Sequence, residues 1–353
     1  MEAITSASFS VYFKEEAYQQ LNTHLANANY SKVFILVDEN THNHCLPSFM
    51  SEIYGDYDFE IIEIEAGEIN KNIHTCTQVW EVLSELDADR KSVVLNLGGG
   101  VVTDLGGFVA STFKRGIDFI NIPTSLLAMV DASVGGKTGV DLGSLKNQVG
   151  VINQPIMVLI LPNFLSSLSE REWRSGYAEM LKHGLISDSN YWEELKTMPE
   201  LDKLISYIHT SVQIKNKVVL QDPTEQNLRK ILNFGHTLGH AIESYYLQHN
   251  TASSLTHGEA IAIGMVLEGY LSHHICDLPL SAVEDIKTTM DTYYKKVNIT
   301  PTAIDAILEL LKFDKKNSHG TVKFVLLSEI GVAEIDKEVA PELFKEAFSY
   351  YSK

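Results

Sequence analysis

Residues 229–259 gather Arg229, Asn233, His236, His240 and His257 around a long apolar helical pattern. On a helix, His236 and His240 lie four positions apart and project from one face, which Glu243 continues. His257 precedes a second apolar run, 260–271, so a loop delivers a third imidazole to the start of a helix able to pack on the first. Two imidazoles and a distant carboxylate make a common three-ligand zinc shell with an open fourth position. Spacing alone leaves a second reading open, that of surface or hydrogen-bonded core histidines. Thr237 stands where a His-Glu-x-x-His signature would carry its glutamate.

The first half of the chain carries the pattern of a mostly parallel sheet. β-branched runs at 33–37, 59–64, 92–97, 117–122 and 156–161 alternate with helical stretches. Several of these runs stop at turns able to do chemistry, and ligands of open α/β sheets sit beyond the carboxyl ends of strands. Asp38 ends the first run, placed to meet a ribose or simply to cap a turn. Gly98-Gly99-Gly100-Val101 follows the third, where backbone amides can approach a pyrophosphate at a helix N-terminus or merely form a tight turn. Gly135-Gly136-Lys137-Thr138 echoes the end of a P-loop, but the motif's first glycine would fall at Asp131, which excludes that reading. Lys114, Arg115, Lys137 and Lys146 remain as cations on glycine-rich loops, suited to holding phosphate. Beyond Pro162 the pattern changes to long amphipathic helices at 170–186, 201–220, 229–247, 259–275 and 282–297. The expected domains are therefore 1–163, α/β, and 164–353, all-α. Glu179 and Lys182 share a face of the first of these helices, either as an intrahelical ion pair or as a metal-ligating carboxylate beside a substrate-binding ammonium.

Composition narrows the function. With 353 residues and 44% hydrophobic content the chain can bury a large core. A net charge of −18, from 46 acidic and 28 basic residues, argues against nonspecific binding to nucleic acid or to anionic membranes. Three cysteines without ligand-like spacing fit free thiols in a reducing compartment. Residues 1–10 lack a basic region followed by an apolar core, and no apolar run approaches membrane-spanning length, so a cytoplasmic location is expected.

Taken together, the motifs resemble the 3-dehydroquinate synthase family over nearly the whole chain. They are Gly98-Gly99-Gly100-Val101 with Asp104, Pro123-Thr124-Ser125, Asp131 through Lys137, Lys146-Asn147, Gly176-x-x-Glu179-x-x-Lys182, Arg229-x-x-Leu232-Asn233-Phe234-Gly235-His236-x-x-Gly239-His240, His257-Gly258-Glu259 and Asp314-Lys315-Lys316. The resemblance implies a dehydroquinate synthase-like fold: an N-terminal α/β nucleotide-binding domain, an all-α C-terminal domain and an active site between them. It implies Glu179, His236 and His257 as ligands of Zn2+, with Co2+ as an alternative, and His240 as an acid-base group that Glu225 assists. NAD contacts are implied for Asp38, Asn40, Glu68, Lys71, Gly99, Gly100, Val101, Asp104, Thr124, Ser125, Lys146, Phe164 and Ser167. Substrate contacts and catalytic roles are implied for Arg115, Asp131, Lys137, Asn147, Lys182, Lys215, Arg229, Asn233 and His240. Lys316, rather than Lys315, is expected to reach the phosphate.

The implied reaction turns 3-deoxy-D-arabino-heptulosonate 7-phosphate into 3-dehydroquinate and phosphate in the shikimate pathway, with NAD reduced and restored in each turnover. A homodimer is implied as well, in which Arg115 reaches a neighbouring subunit's substrate. Thr103, Asp141 and Leu145 depart from the family's commonest pattern, and the segment 244–256 is longer than usual. A metal-dependent polyol dehydrogenase, another sugar phosphate cyclase and a silent NAD-binding regulator are the rival readings; the intact Glu179, His236, His240 and His257 set argues against the last.

Overall fold

The computed structural model describes residues 1–143, 145–249, 254–311 and 322–353. The chain divides into two compact units, Met1–Ser169 and Glu170–Lys353.

In the first unit the strands are β1 (Ile4–Thr5), β2 (Ser10–Phe13), β3 (Val33–Asp38), β4 (Phe59–Ile64), β5 (Val93–Gly98), β6 (Asp118–Pro123), β7 (Lys137–Leu142), β8 (Leu145–Ile152) and β9 (Met157–Ile160). Seven of them form one sheet in the order β1-β2-β9-β6-β5-β3-β4, parallel except for β1. The inner strands β3 and β5 are apolar on both faces because helices cover both. Ile35, Val37, Leu95 and Leu97 pack with Leu21 and Phe49 on one side. Phe34, Leu36 and Val94 pack with Val79, Val102 and Leu105 on the other.

The connection from β3 runs outward to β4, whereas that from β5 runs the opposite way to β6. Strand order therefore reverses between β3 and β5, and Asp38 and Gly98 lie at the carboxyl ends flanking that switch point, where open α/β sheets take their ligands.

Residues 137–147 are not simply glycine-rich loop, because β7 and β8 pair as an antiparallel hairpin with Gly139 opposite Gly150. Thr138 and Val140 alternate along β7 as a strand requires, a pattern that the surrounding glycines obscure in the sequence.

Among its described residues the second unit is helical apart from a hairpin, β10 (Phe324–Glu329) with β11 (Val332–Lys337), which has no counterpart in the expected all-α domain. Its central element is the helix His257–Cys276, which packs against the helices Glu170–Ser187, His236–Gln248, Leu280–Tyr293 and Pro341–Ser352 and against β10. Being surrounded, it is buried on nearly every side from Ala260 to Ser272, hence its long apolar run. The helix expected over 229–247 is in fact broken. A 3-10 turn, Leu228–Asn233, is followed by Gly235 at φ 77°, and the α-helix starts afresh at His236. The apolar spacing runs on through Leu232, Phe234, Leu238 and Ile242 and so hides the break, which only the glycine's left-handed backbone reveals. No helix among the described residues is long and apolar enough to cross a membrane.

The two central helices touch backbone to backbone at Gly264, where an added Cβ would lie 1.9 Å from the carbonyl oxygen of Gly235. Gly264→Ala should destabilise the protein by about 1–3 kcal/mol or more through overpacking. Gly269→Ala in the same helix, with Ile286 Cδ1 at 3.6 Å as its nearest neighbour, should be neutral or stabilising. Urea unfolding midpoints of the two variants check this, and equal midpoints would contradict the close approach.

Candidate metal centre and anion-binding residues

Glu179 lies in the middle of the helix Glu170–Ser187 and is completely buried. Its Oε2 pairs with Lys182 Nζ, one turn on. Its Oε1 makes no hydrogen bond among the described residues. Two imidazole nitrogens face that oxygen, His236 Nε2 at 3.3 Å and His257 Nε2 at 3.4 Å.

The far side of each ring is held. His236 Nδ1 donates to the Phe234 carbonyl (3.0 Å), and His257 Nδ1 lies 3.2 Å from Glu243 Oε2. A carbonyl can only accept, so the proton of His236 sits on Nδ1 and its Nε2 lone pair faces Glu179. These are the outer partners that metal-ligating histidines ordinarily have. A buried carboxylate oxygen without a hydrogen bond, flanked by two oriented imidazoles, fits a divalent cation. His240 adds a nitrogen within 4.8 Å of those of His236 and His257, and its ring centroid lies 5.0 Å from that of His236.

The charges agree with this arrangement. Burial disfavours an ionised Glu179, but Lys182 and the His236 ring outweigh it and hold the carboxyl well below its usual range. Burial and Lys182 lower His236 and keep it neutral, the form that ligates. Burial would also lower His257, but Glu243 and Glu179 prevail and raise it to about 10.

The second unit also carries further predicted residues. Lys215 is buried on the helix Leu201–Gln221. Asp222 accepts the backbone N–H groups of Gln226, Asn227 and Arg229, folding that segment into a compact loop. Arg229 is buried and donates Nη1 to the Pro223 carbonyl at 2.8 Å. Glu225, at φ 60°, accepts from Asn233 Nδ2 at 2.9 Å. The loop thus brings Glu225 to Asn233. Lys315 and Lys316 lie outside the described residues.

In the first unit, Glu68, Lys71, Asp104, Lys146 and Asn147 meet in one polar network. Lys71 Nζ donates to Asp104 Oδ2 (2.6 Å) and to Asn147 Oδ1 (2.7 Å), while Lys146 pairs with Glu68. Asp141 joins them, accepting the Asn147 backbone N–H at 2.6 Å with Lys146 Nζ 3.5 Å away. Gly99, Gly100 and Val101 start the helix Gly100–Thr112, whose first N–H groups lack intrahelical acceptors. Thr124 is buried, its N–H bonded to the Gly98 carbonyl at 3.0 Å, and Ser125 accepts from Ala128 N–H at 3.3 Å. Asp38 uses its carboxylate to cap the short helix Glu39–His44, on which Asn40 is exposed. Asp131 sits half-buried in the turn Ala128–Ala132. Phe164 is buried and Ser167 exposed in the turn Pro162–Ser167. Lys137 and Arg115 are exposed, Arg115 at φ 72°.

Sequence reasoning gave no role to Asp141, Asp222, Glu243 or Glu268. Glu243 had a signal, its place on the face of His236 and His240, and Glu268 had another, a single carboxylate inside an apolar run.

Comparisons with known proteins bear on both units. A family model described as 3-dehydroquinate synthase N-terminal matches residues 61–175, and one described as 3-dehydroquinate synthase C-terminal matches 176–317. A 3-dehydroquinate synthase of Parabacteroides distasonis is 42% identical over 337 residues, 94% of each chain. A solved 2-epi-5-epi-valiolone synthase from Streptomyces hygroscopicus, with NAD+ and Zn2+ bound, is 27% identical at a TM-score of 0.82, covering 100% of this chain and 99% of that one. A 2-deoxy-scyllo-inosose synthase complexed with carbaglucose-6-phosphate, NAD+ and Co2+ shares the fold, at 24% identity and a TM-score of 0.83 over 99% of both chains.

Raising His257 to about 10 has a sign that can be measured. A histidine raised in the folded state from its ordinary value near 6.5 stabilises the metal-free fold below that pH, and loses the contribution as pH climbs towards 10. A metal must displace the same proton. Zinc titrated into metal-free protein at pH 7.5 should therefore release about one proton, read from calorimetric heats in buffers of different ionisation enthalpy. Identical heats in both buffers would mean that His257 is already deprotonated.

Proposed function

We propose that this chain, which belongs to the 3-dehydroquinate synthase family, catalyses the conversion of 3-deoxy-D-arabino-heptulosonate 7-phosphate to 3-dehydroquinate and inorganic phosphate, as an NAD- and metal-dependent carbon–oxygen lyase. The observation that carries the metal part is the buried Glu179 Oε1 faced by the Nε2 atoms of His236 and His257. Those three residues are the proposed ligands of Zn2+, or of Co2+ in its place. When bound, the metal supplies a Lewis acid at the hydroxyl being oxidised, and NAD a hydride acceptor restored before product leaves.

The chain's own groups do the rest. Glu68, Lys71, Asp104 and Lys146 form the polar part of the cofactor site, with Asp38, Asn40, Thr124, Ser125, Phe164 and Ser167 at its margins. The helix start at Gly99, Gly100 and Val101 turns its N–H groups to the pyrophosphate. Lys182, Lys215, Arg229 and Asn233, with Asp131, Lys137 and Asn147, orient the substrate's hydroxyl, carboxylate and phosphate groups. Lys316 belongs to the same proposed set.

His240 is the proposed proton-moving group, imidazole being the side chain best suited to giving and taking protons near neutral pH. Glu225 acts by holding Asn233, the hydrogen bond that supports its inclusion. The proposed setting is a cytoplasmic homodimer that supplies the shikimate pathway, completed across subunits by Arg115, whose exposure on a tight turn suits such a reach.

The deciding assay mixes pure protein with substrate and a catalytic amount of NAD. Phosphate and a carbocyclic product should form without net NADH, and chelation should stop both. NADH growing in step with substrate loss would favour a polyol dehydrogenase instead. His240→Ala should keep its metal and turn over at least about a hundredfold more slowly, within the range of a lost acid-base group; an unchanged rate would remove His240 from the proton path. Mixing inactive Arg115→Ala with inactive Lys137→Ala chains should restore part of the activity. If subunits exchange and none returns, Arg115 does not act across an interface.

A further inference from the structure

Glu268 is fully buried in the apolar middle of the helix His257–Cys276, and nothing in the proposed chemistry uses it. A carboxylate in such surroundings is costly unless its oxygens are matched. Here Oε2 accepts the backbone N–H of Gly235 at 2.7 Å, and Oε1 accepts that of Leu238 at 3.0 Å.

These donors belong to the start of the helix His236–Gln248, which has Gly235 at its N-cap and therefore no side chain of its own to satisfy them. A cap normally comes from the residue just before the helix. In this protein it comes from another helix, and it brings a negative charge to the positive end of the peptide dipoles.

The helix that lends the carboxylate also starts with His257. One rigid element thus presents one imidazole at its end and, from its middle, grips the first turn of the element presenting His236 and His240. Contact through Gly264 brings the two backbones close enough for that grip. We propose that Glu268 is a positioning residue for the metal centre, fixing the placement of His236 relative to His257 and hence the geometry and affinity of the divalent metal held there. The proposal rests on the metal-centre reading of Glu179, His236 and His257.

The test uses the full chain and zinc itself. Glu268→Gln keeps the shape but loses the charge, and it cannot meet both N–H groups with separate oxygens because one amide position carries hydrogens. Zinc affinity is read by competition with a chromophoric chelator, ligand geometry by the visible absorption of the cobalt(II) form, and fold stability by urea unfolding of metal-free protein. Ser272→Ala is the control. Its hydroxyl donates to the Glu268 carbonyl (2.6 Å) and accepts from Leu327 N–H (2.9 Å), so the variant weakens the same helix without touching the cap.

Glu268→Gln should weaken zinc binding by about 10–100-fold, as removal of an outer partner of a metal ligand does, and should shift the cobalt bands. Ser272→Ala should leave both at their parental values even where its loss of stability is as large. If Glu268→Gln does not fold, Glu268→Asp, which keeps the charge but shortens the reach, carries the same comparison with a smaller expected loss. Parental zinc affinity and cobalt spectrum in the folded Glu268 variant overturn the proposal, as does an equal effect of Ser272→Ala. Absence of zinc binding by the parent chain is a different outcome, which removes the metal-centre reading and this proposal with it.

Discussion

The candidate metal centre depends on one unfavourable act, the complete burial of the Glu179 carboxylate. Desolvating a carboxylate costs several kcal/mol and is tolerable only beside opposite charge and well-aimed donors. Lys182 supplies the charge on one side, and the two imidazoles face the other. The histidines are held from behind in different ways, one by a carbonyl and one by a carboxylate, so the two rings differ in charge although they flank the same oxygen. The proton favoured on His257 is the one that the proposed metal would have to displace.

The first unit solves a related problem differently. Lys71 is buried among acids, and burial, which alone would lower its pKa, is outweighed by Asp104 and Glu68. Asp104 and Asp141 shift upward, chiefly because burial penalises their ionised forms. If this network is the cofactor site proposed above, its charges are already fixed to one another and less ordering remains for the moment of binding. Asn147, held by Asp141 at φ 50°, shows backbone conformation being spent on that arrangement.

Much of this was legible in the residues. The inner strands announced themselves as β-branched runs, and the turns at Asp38 and at Gly98 to Val101 fall at a reversal of strand order that the sequence could only suggest. Harder to read were features in which one property masks another. Glycines disguised the β7–β8 hairpin, and unbroken apolar spacing disguised the interruption at Gly235. Asp141, Asp222 and Glu268 were given no role for a shared reason: each works by accepting backbone N–H groups, and backbone donors carry no residue-type signal. Glu243 was visible as a member of the histidine face, but its pairing with His257 depends on how two helices cross.

The start of the helix bearing His257 has a consequence for how the chain can vary. Thr256 and Glu259 form a reciprocal capping box there, and Arg171 clamps Glu259 with Nε at 3.0 Å and Nη2 at 2.6 Å. The imidazole is thereby moored to its own first turn and to a neighbouring helix, and the same guanidinium also holds the Ser254 carbonyl just upstream. With Ser254, Thr256 and Glu259 all fixed at this point, changes in chain length before Ser254 need not be transmitted to the His257 imidazole.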